Sequence, residues 1–162
     1  MPHAYAPLLD APPLKRAGLP EYVRRDSPAA GAEFTEELGG NYFVRLVCLF
    51  VRLVTDANVA NRTLRLEYRD AADNVFHVNG NPVTYPAGST EDFAFSAFHP
   101  RGEWEVSATN LVPLAPLLLP PTHDFHIEVT NIQVGDQLSL ISIWWERFYA
   151  EDPPADLPYL PS

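Results

Sequence analysis

Alternating apolar and polar residues in the middle of the chain predict β-strands rather than helices. From Thr63 to Arg69 the sequence TLRLEYR places Leu64, Leu66 and Tyr68 on one face and charged side chains on the other. This period of two is typical of a half-buried antiparallel strand. The turn residues DAADN follow, and VFHV then returns as the second strand of a predicted hairpin.

The same period recurs towards the carboxyl end of the chain. It predicts strands within residues 91–98, 103–106 and 125–130, and a long final strand from Gln137 to about Tyr149. Between them, NLVPLAPLLLPP at residues 110–121 is apolar but carries four prolines. Proline excludes a central strand and a helix interior alike, so we expect a packed irregular crossover there.

The apolar run from Tyr42 to Val54 contains two arginines that constrain how it folds. A regular strand would place Arg45 and Arg52 on opposite faces, so it needs a bulge or a bend if both are to face solvent. A helix would place both arginines on one side, and it stays an alternative. The β-branched and aromatic residues of the run favour the strand.

Turn signals separate about eight predicted strands, and no clear amphipathic helix interrupts them. A chain of 162 residues is long enough for one domain with a core of its own. We therefore predict an all-β fold, an antiparallel β-sandwich, with the jelly roll as the expected topology.

Proline content divides the chain into three parts. Of the 17 prolines, six lie in residues 1–40 and four in the last ten residues. Because proline favours extended backbone, we predict an extended N-terminal arm at 1–40, a sandwich domain at 41–150 and an extended C-terminal tail at 151–162.

Both predicted arms carry apolar side chains, which are unusual in solvated linkers. Ordering backbone costs about 1–2 kcal/mol per residue, which these side chains cannot offset alone. The arms are therefore either disordered in the free protein or ordered along their own domain, a sister subunit or a larger assembly. The predicted partner-binding residues are Tyr5, Leu8, Leu9, Leu14, Leu19, Tyr22, Val23, Leu157, Tyr159 and Leu160.

Charge and hydropathy argue against two classes of partner. The chain has 21 acidic and 11 basic residues, and its formal charge of −10 should repel phosphate backbones. The sequence also contains no apolar run of the length of a signal peptide or a membrane span. We therefore expect neither a nucleic acid nor a membrane as a partner.

The stretch THDFHIEV at residues 122–129 raises the question of a metal site. Ligands on a strand share a face when they are two residues apart, whereas His123 and His126 are three apart. Simple alternation explains the stretch, with Asp124, His126 and Glu128 pointing outward and Phe125, Ile127 and Val129 pointing inward. We expect no metal and no cofactor.

The sequence also offers no evident nucleophile. The single Cys48 lies in an apolar run and is interpreted as a buried small hydrophobe, and no Gly-x-Ser-x-Gly motif is present. An enzyme is not expected. Trp144 and Trp145 point to opposite faces of a strand, so at least one should be buried. The aromatic group Trp104, Trp144, Trp145, Phe148 and Tyr149 leaves a carbohydrate-binding module open as an alternative.

Three segments carry a family resemblance: LVTDANVANRTLRLEYRDAADNVF, AGSTEDFAFSAF and LVPLAPLLLPPTHDFHIEVTNIQVGDQLSLISIWWERF. Between Val54 and Phe148 the chain resembles a class of small structural proteins of tailed bacteriophages. The shared features are turns and core positions, such as "vanR", "GDQLS" and "ERF", and no catalytic residues come with them. The resemblance does not extend to the arms.

The resemblance implies a virion protein, most simply a jelly-roll decoration (cement) protein. Such a protein is made in the host cytoplasm and binds the major capsid protein on the outer capsid surface. It would also bind copies of itself, and a trimer would suit the local three-fold points of a capsid. A head-to-tail connector, collar or tail component of the same virion is the first alternative, and a carbohydrate-binding module is the second.

Overall fold

The computed structural model describes residues 18–80, 83–97 and 109–149. The described residues form ten strands and no helix, so none of them forms a helix able to span a membrane. Predictions for residues 1–17, 98–108 and 150–162 lie outside the described residues. The strands are β1 (Leu19–Arg24), β2 (Phe34–Glu37), β3 (Tyr42–Val54), β4 (Leu64–Arg69), β5 (Val75–Gly80), β6 (Thr90–Ser96), β7 (Thr109–Pro113), β8 (Leu118–Leu119), β9 (Asp124–Val129) and β10 (Gln137–Tyr149).

The strands form two sheets packed as a sandwich. The larger sheet has the order β1-β10-β3-β6-β7, with β8 beside β3, and the smaller has the order β2-β9-β4-β5. All pairs are antiparallel except β6 with β7. Without β7 and β8, the remaining eight strands follow the order of a jelly roll. The predicted all-β sandwich is confirmed.

Two strands come from the segment that the sequence analysis assigned to the N-terminal arm. β1 pairs with β10 and β2 pairs with β9, so the sheets begin at Leu19 and not near residue 41. Proline content misled the prediction, because Pro20 is tolerated on an edge strand where its missing N–H faces away from a partner. At the N-terminal end, the predicted arm is therefore limited to the residues before Gly18.

The core fills the space between the sheets with large apolar side chains. Phe93 and Phe95 of β6 and Phe125 of β9 are fully buried. The ring of Phe125 meets that of Trp145 edge to face, with ring centroids 6.1 Å apart. Leu64, Leu66 and Tyr68 line the inner face of β4 as predicted, and all three are fully buried.

A β-bulge in β3 resolves the predicted conflict between the two arginines. Cys48 pairs with Trp144 and Leu46 with Trp145, so Val47 has no residue opposite it in β10. The extra residue shifts the alternation by one and places Arg45 and Arg52 on the same outer face. The strand and its bulge are confirmed, and the helical alternative is wrong.

The proline-rich segment 110–121 contains more regular structure than expected. β7 lies in parallel beside β6 at the edge of the larger sheet, and β8 adds two residues beside β3. The predicted irregular crossover is therefore wrong in part. Edge positions explain the difference, because a strand with one free side tolerates proline.

One end of the sandwich, here called the loop end, is joined by the buried guanidinium of Arg62. Its Nε and Nη2 donate to the two carboxylate oxygens of Asp136 at 3.0 and 2.9 Å, and Nη2 also donates to Asp56 at 2.7 Å. Its Nη1 donates to the carbonyls of Asn58 and Ala60 at 2.9 and 2.7 Å. The β3–β4 and β9–β10 loops are thus tied by one side chain whose three nitrogens are all satisfied.

Asp136 is fully buried and receives further donors at this junction. Backbone N–H groups of Asp56 and Gln133 each donate to it at 2.8 Å. Burial alone would raise the pKa of Asp136, but the hydrogen bonds from Arg62 and these backbone groups lower it overall. Gly135 precedes it because a Cβ there would lie 2.8 Å from the Asp56 side chain.

We expect Asp136→Asn to lower the free energy of unfolding by about 3 kcal/mol, because it leaves the buried Arg62 cation with Asp56 as its single carboxylate partner. Chemical denaturation followed by tryptophan fluorescence measures the change. The double variant Arg62→Met with Asp136→Leu should be less destabilised than Asp136→Asn. Equal or greater destabilisation in the double variant would contradict a charge-pairing role.

Candidate contact surface

The outer face of the larger sheet, which points away from the core, carries a continuous apolar band. Its members lie on the outward parity of their strands and are half-buried or exposed. Neighbouring strands lie about 4.8 Å apart, so a band across five strands is about 20 Å long. The band consists of Tyr22, Trp144, Cys48, Phe50, Ala94 and Leu111, in the cross-strand rows Tyr22–Trp144–Cys48 and Phe50–Ala94–Leu111.

Two large aromatic side chains dominate one end of the band. Tyr22 is 64% exposed and Trp144 is 50% exposed, and they are opposite each other on β1 and β10. The Tyr22 hydroxyl donates to Ser142 Oγ at 3.1 Å, which holds the tyrosine against β10. Exposed aromatic rings next to each other on a sheet are typical of contact surfaces.

An ion pair borders the band on each side. Arg45 Nε donates to Glu146 at 2.7 Å on one side. On the other, Arg52 donates to both carboxylate oxygens of Asp92 at 2.6 and 2.8 Å. Hydrogen bonding from Arg52 lowers the pKa of Asp92. Each of these two ion pairs is balanced, whereas the exposed Arg24 adds a positive charge on β1, two residues beyond Tyr22 on the same face.

Cys48 lies on this outer face and not in the core. The prediction that Cys48 is buried is wrong, because its side chain is partly exposed. The bulge at Val47 changes its facing, since without it Cys48 would follow the parity of the core residues. The thiol is still partly buried, and this burial raises the pKa of Cys48. The thiol therefore stays protonated at neutral pH.

Three of the predicted partner-binding residues lie in β1, and the structure separates them. Tyr22 belongs to the apolar band, Val23 points inward and packs against the core, and Leu19 is half-buried beside Arg147. Only Tyr22 is therefore available as a large exposed contact. The other predicted residues lie outside the described residues: Tyr5, Leu8, Leu9, Leu14, Leu157, Tyr159 and Leu160.

The aromatic group of the sequence analysis does not form one platform. Trp145 and Tyr149 are buried, Trp144 and Phe148 face outward, and Trp104 lies outside the described residues. Trp144 and Trp145 thus point to opposite faces, as predicted. Phe148 lies beyond the band, with the Arg45 guanidinium 5.2 Å from its ring centroid.

On β4 and β9 the outer face of the smaller sheet is charged, whereas Val75, Phe76 and Val78 on its edge strand β5 are exposed apolar residues. Glu67 of β4 is flanked by Arg65 and Arg69, whose nitrogens lie 2.8 and 2.7 Å from its carboxylate. Arg65 also lies 2.5 Å from Glu128 of β9. The two arginines cover Glu67, so this outward-facing residue is buried.

His126 occupies the centre of that charged face and is also buried. Its Nδ1 lies 2.8 Å from Thr35 Oγ1 and its Nε2 lies 3.0 Å from Glu33 Oε2. Glu33 is held in place because its other oxygen accepts the backbone N–H of Val129. His126 points away from the core, as predicted. It is nevertheless buried, because Glu33 covers its ring and contacts Nε2.

His123 lies apart from His126, at the start of β9. It borders an open cleft of about 230 Å³ together with Glu37, Asp70, Asp73 and Asp124. Burial raises the pKa of Asp124. No group of three histidine, cysteine or carboxylate side chains within the described ranges is arranged to hold a metal ion.

The band is not recognisable in the sequence as a unit. Trp144 and Tyr22 were predicted separately as contact residues, and Phe50, Ala94 and Leu111 were not predicted. Each of these three residues is an isolated apolar side chain on the polar parity of its own strand. The signal becomes visible only when strand order and register bring them into adjacent rows.

No protein-family model, curated protein or solved structure matches the chain.

Alanine substitutions of Trp144 and Trp145 should show which of the two side chains contributes to the stability of the core. We expect Trp145→Ala to lower the free energy of unfolding by about 3–5 kcal/mol, as for other buried large side chains. Trp144→Ala should change it by less than about 1 kcal/mol, because the ring is half exposed. Urea denaturation in dilute solution measures both. Similar losses in the two variants would mean that Trp144 is part of the core.

Proposed function

We propose that the protein is a non-enzymatic structural component of a tailed-bacteriophage virion. It acts as a decoration (cement) protein, is made in the host cytoplasm and binds the major capsid protein on the outside of the capsid. Its oligomer, a trimer in the simplest arrangement, lies over a local symmetry point and ties neighbouring capsid subunits together. The sequence resemblance suggests this role, and the jelly-roll sandwich is compatible with it.

The observation that carries the proposal is where the two tails begin. Leu19 at the start of β1 pairs with Arg147, and Tyr149 ends β10 only two residues later. Residues 1–17 and 150–162 are therefore attached to neighbouring strands at the same end of the same sheet. This tail end lies opposite the loop end that Arg62 joins.

Two tails attached at one end can reach one underlying surface together. Linked contacts of this kind bind more tightly than either contact alone, because the second forms at a high effective concentration. The four prolines of residues 153–161 reduce the conformational freedom that the C-terminal tail loses when it binds. Leu157, Tyr159 and Leu160 would supply its apolar contacts.

The charge of the protein also suits the outside of a particle. A formal charge of −10 is repelled by packaged DNA and attracts basic patches on a protein shell. The acidic side chains of the cleft at His123 belong to this surface.

Capsid binding by tail variants tests the proposal. We expect the triple variant Leu157→Ser, Tyr159→Ser and Leu160→Ser to lower occupancy on purified capsids at least tenfold, because its apolar contacts are lost. Occupancy is read from band intensities of sedimented particles on a stained gel. Deleting residues 1–35 would be a poor test, since it removes β1 and Phe34 of β2.

Val59→Ser is the matched control for that experiment. Val59 is fully exposed and lies in the β3–β4 loop at the loop end, so its substitution should leave occupancy unchanged. Unchanged occupancy in the tail variant, or no binding by the unmodified protein, would contradict the proposal. A copy number of only a few per virion would instead support a connector or collar.

One observation favours a second candidate function, carbohydrate binding. Tyr22 and Trp144 are adjacent exposed aromatics, and such rings stack on the apolar faces of sugars. Under the decoration proposal, sugars should not change the tryptophan fluorescence of the protein. Titration with a set of oligosaccharides measures this. A saturable change that disappears in Trp144→Ala would support the carbohydrate-binding module.

A further inference from the structure

We propose that the apolar band on the outer face of the larger sheet is the docking site for the proline-rich N-terminal segment, residues 1–17, of a second copy of this chain. The exchange of these segments would link copies into an oligomer. This inference goes beyond the proposed function, because it concerns the free protein and requires no capsid.

Length and attachment make the segment a suitable occupant. Residues 1–17 lead directly into Gly18 and β1, the edge strand that carries Tyr22. An extended segment of this length reaches about 50 Å at about 3.1 Å per residue, whereas the band is about 20 Å long. The segment is therefore long enough to leave one copy and cross the whole band of another.

The chemistry of the segment fits the band. Residues 1–17 contain four prolines together with Tyr5, Leu8, Leu9 and Leu14. Proline-rich segments bind surfaces lined with exposed aromatic side chains, because their restricted backbone loses little entropy and their rings pack on aromatic faces. Tyr22 and Trp144 provide such a surface, and Phe50 and Leu111 extend it with further apolar contacts.

The charge of residues 1–17 also makes this segment a better occupant of the band than other parts of the chain. The segment contains Lys15 and Arg16 against one acidic residue, Asp10, whereas the whole chain has a formal charge of −10. Two copies therefore repel each other in general, but the segment of one copy is attracted to the other. The ion pairs that border the band are balanced, and the exposed Arg24 of β1 favours a path that keeps Lys15 and Arg16 away from it.

The path of the chain before β1 points to a second copy. A Cβ on Gly18 would lie 2.6 Å from Phe148 Cζ and 2.8 Å from Glu146 Cβ, so Gly18 still runs close beside β10. Traced from β1 back towards the N-terminus, the chain at Gly18 runs towards the tail end and away from Trp144. To reach its own band it would have to reverse direction, whereas reaching the band of a neighbour requires no reversal.

Such an exchange is a heterologous contact, in which the segment of each copy binds a different surface on the next. Contacts of this kind close into rings when the rotation between copies allows it. A ring of three would suit the local three-fold points of the proposed capsid role. The band of every copy would then be covered, which explains how an apolar surface of this size is tolerated on an acidic protein.

Complementation between two full-length variants tests the inference. The segment variant carries Tyr5→Ser, Leu8→Ser and Leu9→Ser and keeps its band, and the band variant carries Trp144→Ala and keeps its segment. Size-exclusion chromatography with light scattering should find the unmodified protein as an oligomer. Each variant alone should associate at least about thirtyfold more weakly, the effect of losing one buried aromatic anchor.

An equimolar mixture of the two variants should then form a one-to-one complex, because one intact segment meets one intact band. Phe76→Ser is the matched control, since Phe76 is also 50% exposed but lies on β5 of the other sheet, and it should associate like the unmodified protein. Circular dichroism establishes that all variants are folded. A monomeric unmodified protein, or a mixture of variants that stays monomeric, would overturn the inference.

The two proposals can fail separately. Oligomers that form by this exchange but do not bind capsids would exclude the decoration role and leave the exchange intact. Variants that bind capsids normally while remaining monomeric would exclude the exchange and leave the decoration role intact.

Discussion

The pairing of β3 with β10 is the interaction on which the remaining structure depends. Both strands are 13 residues long and lie at the centre of the larger sheet, so they supply much of the core and of the opposite face. Their register is shifted at two places, at Val47 of β3 and around Leu140 of β10. Leu140 has a φ of 52°, a left-handed conformation that costs a non-glycine residue about 1 kcal/mol or more. These irregularities decide which side chains face the core and which form the apolar band.

The buried cluster around Arg62 joins the β3–β4 and β9–β10 loops at the loop end. A fully buried guanidinium is tolerated only when its charge and donors are matched, and Asp136, Asp56 and two carbonyls match them here. Arg62 and Asp136 belong to the "vanR" and "GDQLS" motifs of the sequence resemblance. The structure therefore accounts for both motifs by stability alone. In each motif the charged residue ties the β3–β4 loop to the β9–β10 loop.

The sequence predicted what depends on local periodicity and missed what depends on register. The alternation of Leu64, Leu66 and Tyr68 was sufficient to predict β4, and the parity conflict between Arg45 and Arg52 was sufficient to predict the bulge. Proline content was a poor guide to the boundary of the arm, because it reports the local backbone and not whether an edge strand is paired. The burial of His126 could not be predicted, since it depends on Glu33, which is 93 residues away in the chain. The apolar band requires the order of five strands, and one sequence cannot supply that order.

The two faces of the sandwich differ in a way that bears on assembly. On the smaller sheet, Arg65, Arg69 and Glu67 satisfy one another, and Glu33 covers His126, so the polar groups of that face are largely matched within the chain. On the larger sheet, ion pairs are confined to the borders, and the area between them presents aromatic and aliphatic side chains to solvent. A face that satisfies itself gains little from a partner, whereas an apolar face gains free energy from each apolar group that a partner removes from water. Because both tails begin at one end of the larger sheet, that sheet provides the apolar face and the attachment points of the chain segments that could cover it. Under both proposals, contact with a partner is therefore expected to involve the larger sheet.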